Sequence, residues 1–221
     1  THGDTYAAAV AFQGIQKLAS QLILNLEKTK IAIIGATGII GKALALQLAP
    51  VVGEGLILIG RNQTRLQKLQ SWVGGSPRIS TDKDGGKILG EAEIVVMVTS
   101  SPAALLMGEY LKMGAVVYDV SQPRNTTPLL ARERPDILIV DGANVSVPAG
   151  IKFWWMSLRP HVTFACMAET MMQALESDLA NHVGEIDPKF LKETLRRAKV
   201  HGFNHAPFTS FGRTITIGQK D

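Results

Sequence analysis

The chain has 221 residues, 46% of them hydrophobic, and a formal net charge of +4, which suits one buried core in a single domain or in a domain with an appendage. We expect neither a transmembrane segment nor nucleic-acid binding, because no apolar run reaches ~20 residues and the basic residues are spread along the chain. The single cysteine, Cys166, excludes an internal disulfide, and with no secretory signal pattern it favours a cytoplasmic location.

The first predicted element is a helix, because apolar residues recur at helical spacing over residues 5–26. Apolar strands that alternate with helices follow it. The strands are predicted at residues 30–34, 56–60, 78–80, 94–99, 116–120 and 137–141. The helices are predicted at residues 40–48, 63–72 and 102–113. This alternation is typical of an α/β fold, a doubly wound parallel-sheet Rossmann domain with helices on both faces.

Three glycines spaced three residues apart follow the first strand and open the next helix. In a dinucleotide site the first glycine allows a sharp turn, the second admits the diphosphate, and the third packs the helix on the strand. The N-terminus of that helix then faces the phosphates with unpaired N–H groups. The residues predicted to bind the cofactor here are Gly35, Ala36, Thr37, Gly38, Ile39, Ile40 and Gly41. A tight turn without a ligand is the alternative.

The end of the second strand favours NADP(H) over NAD(H). NAD sites usually carry an acidic residue there, whereas this chain has Arg61 and Asn62, with Arg65 close behind. The planar guanidinium of Arg61 can hold a 2′-phosphate through two hydrogen bonds. The alternative is that Arg61 and Arg65 are ordinary solvated residues at the start of the next helix.

Polar residues also end two later strands. Thr99 and Ser100 end the strand at residues 94–99, and Asp119 begins a polar turn after the following strand. Ligands of doubly wound sheets lie beyond the carboxyl ends of the strands, so these side chains are predicted to line the cofactor cleft. Capping of the next helix is another role for Thr99 and Ser100.

The pattern changes near residue 151, which divides the chain into a leading helix (1–26), an NADP-binding domain (27–150) and a helical C-terminal region (151–221). Helices are predicted there at residues 170–180 and 188–200. Thr163 is predicted as an N-cap that places Cys166 in a first helical turn, where the helix dipole favours the thiolate. His161 is close enough in sequence to add positive charge or move protons. The alternative is that Cys166 is a small buried apolar side chain.

Four segments together resemble the cyanobacterial long-chain acyl-[acyl-carrier-protein] reductases, which form fatty aldehydes. They are Thr-His-Gly-Asp at 1–4, Ile-Ile-Gly-Ala-Thr-Gly at 33–38, Phe-Ala-Cys-Met-Ala-Glu at 164–169 and Lys-Val-His-Gly-Phe at 199–203. The resemblance places the nucleophilic cysteine of that family at Cys166. The chain departs from the family at Asp4, where asparagine is usual, and in the turn after strand five, which lacks a glycine pair. We expect the family's N-terminal substrate domain to be missing from this sequence.

The resemblance implies NADPH-dependent reduction of a long-chain acyl thioester to an aldehyde through an acyl-enzyme on Cys166, without a metal. The implied partners are an acyl-carrier protein or acyl-CoA as substrate, an aldehyde-processing enzyme downstream, and a second copy of the chain. His161 and the region of His2 are the candidates for proton transfer. Two alternatives stay open: an amino-acid or shikimate-type NADP-dependent dehydrogenase with direct hydride transfer, and a cofactor-binding module without activity of its own.

Overall fold

The computed structural model describes residues 1–81, 85–99, 108–148, 151 and 158–218. Its helices are α1 (Asp4–Gln21), α2 (Ile39–Val52), α3 (Gln63–Val73), α4 (Gly85–Leu89), α5 (Pro128–Glu133), α6 (Ala165–Leu175) and α7 (Pro188–His201). The first six strands are β1 (Ile31–Ile34), β2 (Leu56–Gly60), β3 (Arg78–Thr81), β4 (Ile94–Met97), β5 (Val116–Asp119) and β6 (Leu138–Asp141). The remaining strands are β7 (Asn144–Ser146), β8 (Val162–Phe164), β9 (Asn204–His205), β10 (Thr209–Ser210) and β11 (Arg213–Thr214). Within these ranges, no helix combines the length and the apolar character needed to cross a bilayer.

Strands β1 to β6 form one parallel sheet in the order β3-β2-β1-β4-β5-β6. The strand order reverses between β1 and β4, so a crevice opens beyond the carboxyl ends of these two strands. Ile34 pairs with Met97 at that edge. The predicted α/β Rossmann fold is therefore confirmed.

The sheet forms because its central strands are continuous apolar runs, and β1, β2, β4 and β5 are buried at every residue. Alternate side chains of β1 serve opposite faces. Ile31 and Ile33 join an apolar layer with α1 and α2, whereas Ala32 and Ile34 join a second layer on the other face. Covering both faces in this way is characteristic of parallel sheets.

The helix boundaries differ from the sequence prediction in places. Helix α1 ends at Gln21, and Ile23 then takes a positive φ of 56° before a separate 3₁₀ turn at Leu26–Lys28. Helix α2 continues to Val52, because Leu48 and Val52 keep packing on the core beyond the predicted end. Of the helix predicted at residues 102–113, residues 102–107 lie outside the described part of the chain, and Gly108–Tyr110 is a 3₁₀ turn.

The C-terminal region contains strands as well as the predicted helices. Strand β7 pairs antiparallel with both β8 and β9, and β10 pairs with β11. Helix α6 spans Ala165–Leu175 rather than residues 170–180. Helix α1 packs against α2, α6 and α7, so the leading helix connects the sheet domain to the C-terminal region.

Candidate active site

The glycine loop after β1 has the geometry expected of a diphosphate-binding turn. Gly35 has a φ of +89°, and a Cβ there would lie 2.8 Å from the carbonyl oxygen of Val98. A Cβ on Gly41 would lie 2.3 Å from the carbonyl oxygen of Gly35, so only glycine allows α2 to pack this closely on the loop. Gly38 is the N-cap of α2. The three glycines therefore occupy the structural roles that the sequence predicted.

A cavity of about 400 Å³ lies beyond the carboxyl ends of β1, β4, β5 and β6. Four separate parts of the chain line it. They are the glycine loop (Gly38, Ile39, Ile40), the strand ends (Val98, Thr99, Val120, Ser121, Gln122, Gly142, Ala143), the start of α1 (His2, Asp4, Ala7) and the start of α6 (Phe164, Ala165, Cys166). The size and the mainly apolar lining are those of a small-molecule site.

The residues of this cavity fit the diphosphate of a dinucleotide. Gly38 lines the cavity, and a side chain at this position would fill the space that a diphosphate needs against the loop. Helix α2 begins at the same place, and the first N–H groups of a helix have no partners within it. These groups and the positive end of the helix dipole favour an anion.

The adenosine side of the predicted site lies at the end of β2. Arg61 is exposed there. The side-chain oxygen of Asn62 accepts a hydrogen bond from the backbone N–H of Arg65 (2.9 Å), so Asn62 caps α3. A Cβ on Gly60 would lie 3.3 Å from the hydroxyl of Thr37, which places Thr37 between the glycine loop and β2. Arg61 is thus available for a phosphate, whereas Asn62 already holds the helix.

Arg65 lines a second cavity of about 360 Å³ between α2 and α3. Lys42 lines the same cavity and makes an ion pair with Glu185. The ammonium group of Lys68 lies 4.9 Å from the ring centroid of Trp72 there. The structure brings these basic residues together, although they are well separated in the sequence.

Thr99 lines the first cavity, as predicted, two residues beyond the end of β4. Its carbonyl oxygen accepts a hydrogen bond from the side-chain nitrogen of Asn125 (3.0 Å). Ser100, the other residue predicted at this strand end, lies outside the described residues. Thr99 is therefore placed to contact a bound cofactor, while the role of Ser100 remains a prediction.

The Asp119 carboxylate is buried beneath the turn after β5 rather than on the cavity wall. It accepts hydrogen bonds from the backbone N–H groups of Ser121 (3.0 Å), Asn125 (2.9 Å) and Thr126 (2.9 Å), and from the hydroxyl of Thr126 (2.8 Å). Asp119 therefore shapes the turn, and Ser121 and Gln122 of that turn line the cavity.

Cys166 is the second residue of α6 and lies in the first helical turn, as predicted. The N-cap of α6 is Phe164, however, so the prediction that Thr163 caps this helix is wrong. Thr163 is a buried residue of β8 and pairs with Val145 of β7. The strand continues directly into the helix, which leaves Thr163 one residue too early to act as a cap.

The surroundings of Cys166 disfavour the thiolate in the free protein. Burial raises the pKa of the Cys166 thiol, against the opposing effect of the backbone N–H groups of Met167 and of Cys166 itself. The negative charges of Asp4 and Glu169 raise the pKa of the thiol further. The direction is opposite to the one expected from the helix dipole alone.

The N-terminus of α1 lies directly against Cys166. Gly3, the N-cap of α1, has a φ of +79°, and a Cβ there would lie 2.4 Å from the Cα and the Cβ of Cys166. The buried carboxylate of Glu169 accepts hydrogen bonds from the backbone N–H of Tyr6 (2.7 Å) and from the hydroxyl of Thr1. Three helix N-termini, those of α1, α2 and α6, therefore meet at one cavity.

His2, rather than His161, is the histidine that lines this cavity. The Nδ1 atom of His2 lies 3.4 Å from Oδ2 of Asp4, and the backbone N–H of Gly184 donates to Nε2 of His2 at 2.9 Å. His161 precedes β8 and Cys166 follows it, so this strand separates their backbones by about 10 Å. Proton transfer by His161 stays a prediction that this placement does not favour.

Sequence reasoning missed the position of Asp4 beside Cys166. The only available signal was the departure at this position from the pattern of the resembling family. Among the described residues there is no cluster of three or more histidine, cysteine or acidic side chains that could hold a metal ion.

Comparisons with known proteins agree with this architecture. Residues 17–141 match the family described as shikimate / quinate 5-dehydrogenase. The chain is 32% identical over 183 residues to a long-chain acyl-[acyl-carrier-protein] reductase of Synechococcus elongatus, which covers 80% of the chain and 52% of the reductase. It is 27% identical over 223 aligned residues to aminotransferase PigE of a Serratia species, covering 97% of the chain and 26% of that protein. The chain thus spans about half the length of the first relative and about a quarter of the second.

Among solved structures, a dipicolinate synthase from Bacillus halodurans superposes with a TM-score of 0.49 at 14% identity. The superposition covers 62% of this chain and 47% of the synthase chain.

Proposed function

We propose a function for this chain from the premise that it belongs to the shikimate / quinate 5-dehydrogenase family. Its cofactor is NAD(P)(H), and it is an oxidoreductase. The proposed reaction is the NADPH-dependent reduction of a long-chain acyl thioester to a fatty aldehyde through an acyl-enzyme on Cys166. One observation supports it above all others: Cys166 and the glycine loop line the same cavity.

The residues that would hold the cofactor are those of the predicted site. Gly38 and the N-terminus of α2 would bind the diphosphate, and Arg61 would bind the 2′-phosphate that distinguishes NADPH from NADH. Thr99, at the end of β4, would contact the part of the cofactor nearest to Cys166. When bound, the reduced nicotinamide supplies a hydride to the carbonyl carbon of the acyl group.

Cys166 performs the acyl transfer that precedes reduction. Its sulfur forms a bond to the thioester carbonyl carbon, the bond from that carbon to the carrier sulfur breaks, and the carrier leaves as a thiol. The acyl group is then held as a thioester on Cys166. The N–H groups in the first turn of α6 stabilise the negative charge that develops on sulfur and oxygen. After hydride addition the bond to Cys166 breaks, and the aldehyde and the thiolate are released.

The substrate class rests on the reductase relative, whose name specifies a long-chain acyl group on acyl-carrier protein. The same segment that resembles this family, residues 164–169, forms the start of α6 and lines the cavity with Phe164, Ala165 and Cys166. We therefore propose an acyl-carrier protein or acyl-CoA as the substrate of this chain.

Mass spectrometry after incubation with palmitoyl-CoA tests this proposal. Without NADPH, the peptide that carries Cys166 should gain one acyl group, and hydroxylamine should remove it. Adding NADPH should discharge the adduct with the release of one aldehyde per acyl group. The Cys166→Ala variant should gain no acyl group while binding NADPH with unchanged affinity. A parent chain that stays unmodified, or a Cys166→Ala variant that forms aldehyde at the parental rate, contradicts the proposal.

A dehydrogenase with direct hydride transfer is the second candidate. The family match favours it, because that match ends at residue 141, before β7 and before Cys166. Such an enzyme would need the cofactor loop but no thiol. Oxidation of a hydroxy acid with NADP⁺ at the same rate by the parent chain and by Cys166→Ala, with no acyl adduct on the parent, would support this candidate.

A further inference from the structure

We propose that Asp4 carries the proton of the acyl transfer, taking it from the Cys166 thiol as the sulfur attacks and giving it to the departing carrier sulfur. This inference rests on the proposed function and assigns a catalytic residue to it. The bond between sulfur and hydrogen on Cys166 breaks, the proton passes to the Asp4 carboxylate, and the new sulfur–carbon bond forms. The carrier then leaves as a thiol with that proton, and Asp4 is again a carboxylate.

The fold places Asp4 and Cys166 together from opposite ends of the chain. Asp4 is the first residue of α1, Cys166 is the second residue of α6, and both line the same cavity. Gly3 contacts the backbone of Cys166 so closely that a Cβ on Gly3 would lie 2.4 Å from the Cα of Cys166. The residue that follows Gly3 therefore lies at the thiol.

The Cys166 thiol needs such a base. Burial and the carboxylates of Asp4 and Glu169 raise the pKa of the thiol. No lysine or arginine is among the described residues that line the cavity, so no permanent positive charge there stabilises a thiolate. A thiol that keeps its proton is a poor nucleophile and reacts fast only when a positioned base removes the proton during attack.

Asp4 is the best placed of the groups around the thiol to accept this proton. The Glu169 carboxylate is already bound by the N–H of Tyr6 at 2.7 Å and by the hydroxyl of Thr1. Both ring nitrogens of His2 are also engaged, Nδ1 beside Asp4 and Nε2 with the backbone of Gly184.

Burial, opposed by the charge of His2, raises the pKa of the Asp4 carboxyl and makes it a stronger base than an exposed aspartate. His2 is a positioning residue in this scheme, because it contacts Asp4 through a nitrogen–oxygen distance of 3.4 Å.

The Asp4→Asn variant tests the proposal with two measurements whose expected changes have opposite directions. Single-turnover acyl transfer from palmitoyl-CoA should slow by about 10²-fold, the size of a typical general-base contribution. Alkylation of Cys166 by iodoacetamide should instead reach its half-maximal rate at lower pH, because a negative neighbour is gone. Asp4→Glu should restore part of the transfer rate.

Asp187→Asn is the matched control. The Asp187 carboxylate caps α7 by accepting a hydrogen bond from the N–H of Lys189 (2.9 Å), away from the cavity. This variant should leave acyl transfer and alkylation unchanged.

Acyl transfer at the parental rate in Asp4→Asn would overturn the proposal. So would a parallel loss of acyl transfer and alkylation together with a lowered free energy of unfolding, since that pattern marks a structural role at the α1 N-terminus. A parent chain that accepts no acyl group overturns the proposed function and the role of Asp4 together. A parent that is acylated and an Asp4→Asn variant acylated equally fast overturn the role of Asp4 alone.

Discussion

Gly41 lies where the first turn of α2 touches the loop after β1, and it has no room for a side chain. A Cβ there would lie 2.3 Å from the carbonyl oxygen of Gly35 and 2.8 Å from the Cα of Ala36, both backbone atoms that cannot rotate away. We expect Gly41→Ala to lower the free energy of unfolding by about 1–3 kcal/mol and to weaken NADPH binding. Urea denaturation and fluorescence titration measure the two effects. Gly90→Ala is the control, because its nearest atom would be 3.5 Å away; an equal cost there would contradict the argument.

Arg61 decides between the two nicotinamide cofactors if it binds the 2′-phosphate. A charge-assisted contact of this kind contributes about 1.5–3 kcal/mol, so Arg61→Ala should weaken NADPH binding by about 10- to 100-fold. Binding of NADH should change less than about twofold, since NADH has no phosphate at this position. Calorimetric titration with both cofactors gives the ratio. Arg132→Ala, an exposed residue of α5, is the control, and an equal loss for both cofactors would place Arg61 elsewhere in the site.

The roles of single residues were predictable from sequence where they depend on near neighbours. Gly35 and Gly41 act through atoms of the same short loop, so their spacing alone carried the information. The contacts of Asp4 and Glu169 join the first helix to the sixth, and no local pattern marks such a pairing. The expected thiolate at Cys166 failed for the same reason, because the burial and the carboxylates that raise its pKa come from distant segments.

At the level of elements, α6 caps α1. The Glu169 carboxylate of α6 accepts a hydrogen bond from the Tyr6 N–H in the first turn of α1, where no residue of α1 itself provides a side-chain cap. Glu169→Ala would leave that N–H buried without a partner and should lower the free energy of unfolding by about 2–3 kcal/mol. Glu169→Gln keeps an acceptor oxygen and should cost less.

Urea denaturation of the two variants tests this capping role. Glu133→Ala is the control, because Glu133 is an exposed residue near the end of α5. If Glu169→Ala and Glu133→Ala were equally stable, the contact would contribute nothing. Because Gly3 and Asp4 belong to the same end of α1, Glu169→Ala should also change the rate at which Cys166 is alkylated.

Strands β1, β2, β4, β5 and β6 were predictable because each is an apolar run that stands out between polar turns. Strands β7, β8 and β9 were missed for two physical reasons. Each has only two or three residues, too few for an alternating pattern. Each also depends on pairing with a segment far away in the chain, such as Val145 with His205. Tertiary pairing creates these strands, and their own propensity does not reveal them.

For the whole molecule, α1 connects the parallel sheet to the C-terminal region. At Gly14 of α1 an added Cβ would lie 2.0 Å from the hydroxyl of Tyr118 on β5 and 2.8 Å from Nε2 of His205 on β9. The glycine thus allows a helix, the central sheet and the antiparallel sheet to meet at one buried point. The N-terminus of the same helix reaches Cys166, so the stability of this junction and the geometry of the thiol site are coupled.

His205 makes this junction sensitive to pH. Its Nδ1 bonds the carbonyl oxygen of Ala206 (2.6 Å), its buried Nε2 has no hydrogen-bond partner in the described part of the chain, and burial lowers its pKa from 6.5 to about 4. A lowered pKa means that the neutral ring stabilises the fold above pH 6.5, and that about 3 kcal/mol is lost as the pH falls towards 4. Urea denaturation across this range should show that loss in the parent and a flatter profile in His205→Gln. The steeper loss below about pH 4, which comes from paired carboxylates such as Glu193 with its pKa of about 2, should persist in both proteins. Parallel profiles between pH 4 and 6.5 would show that the ring takes up its proton without disturbing the junction.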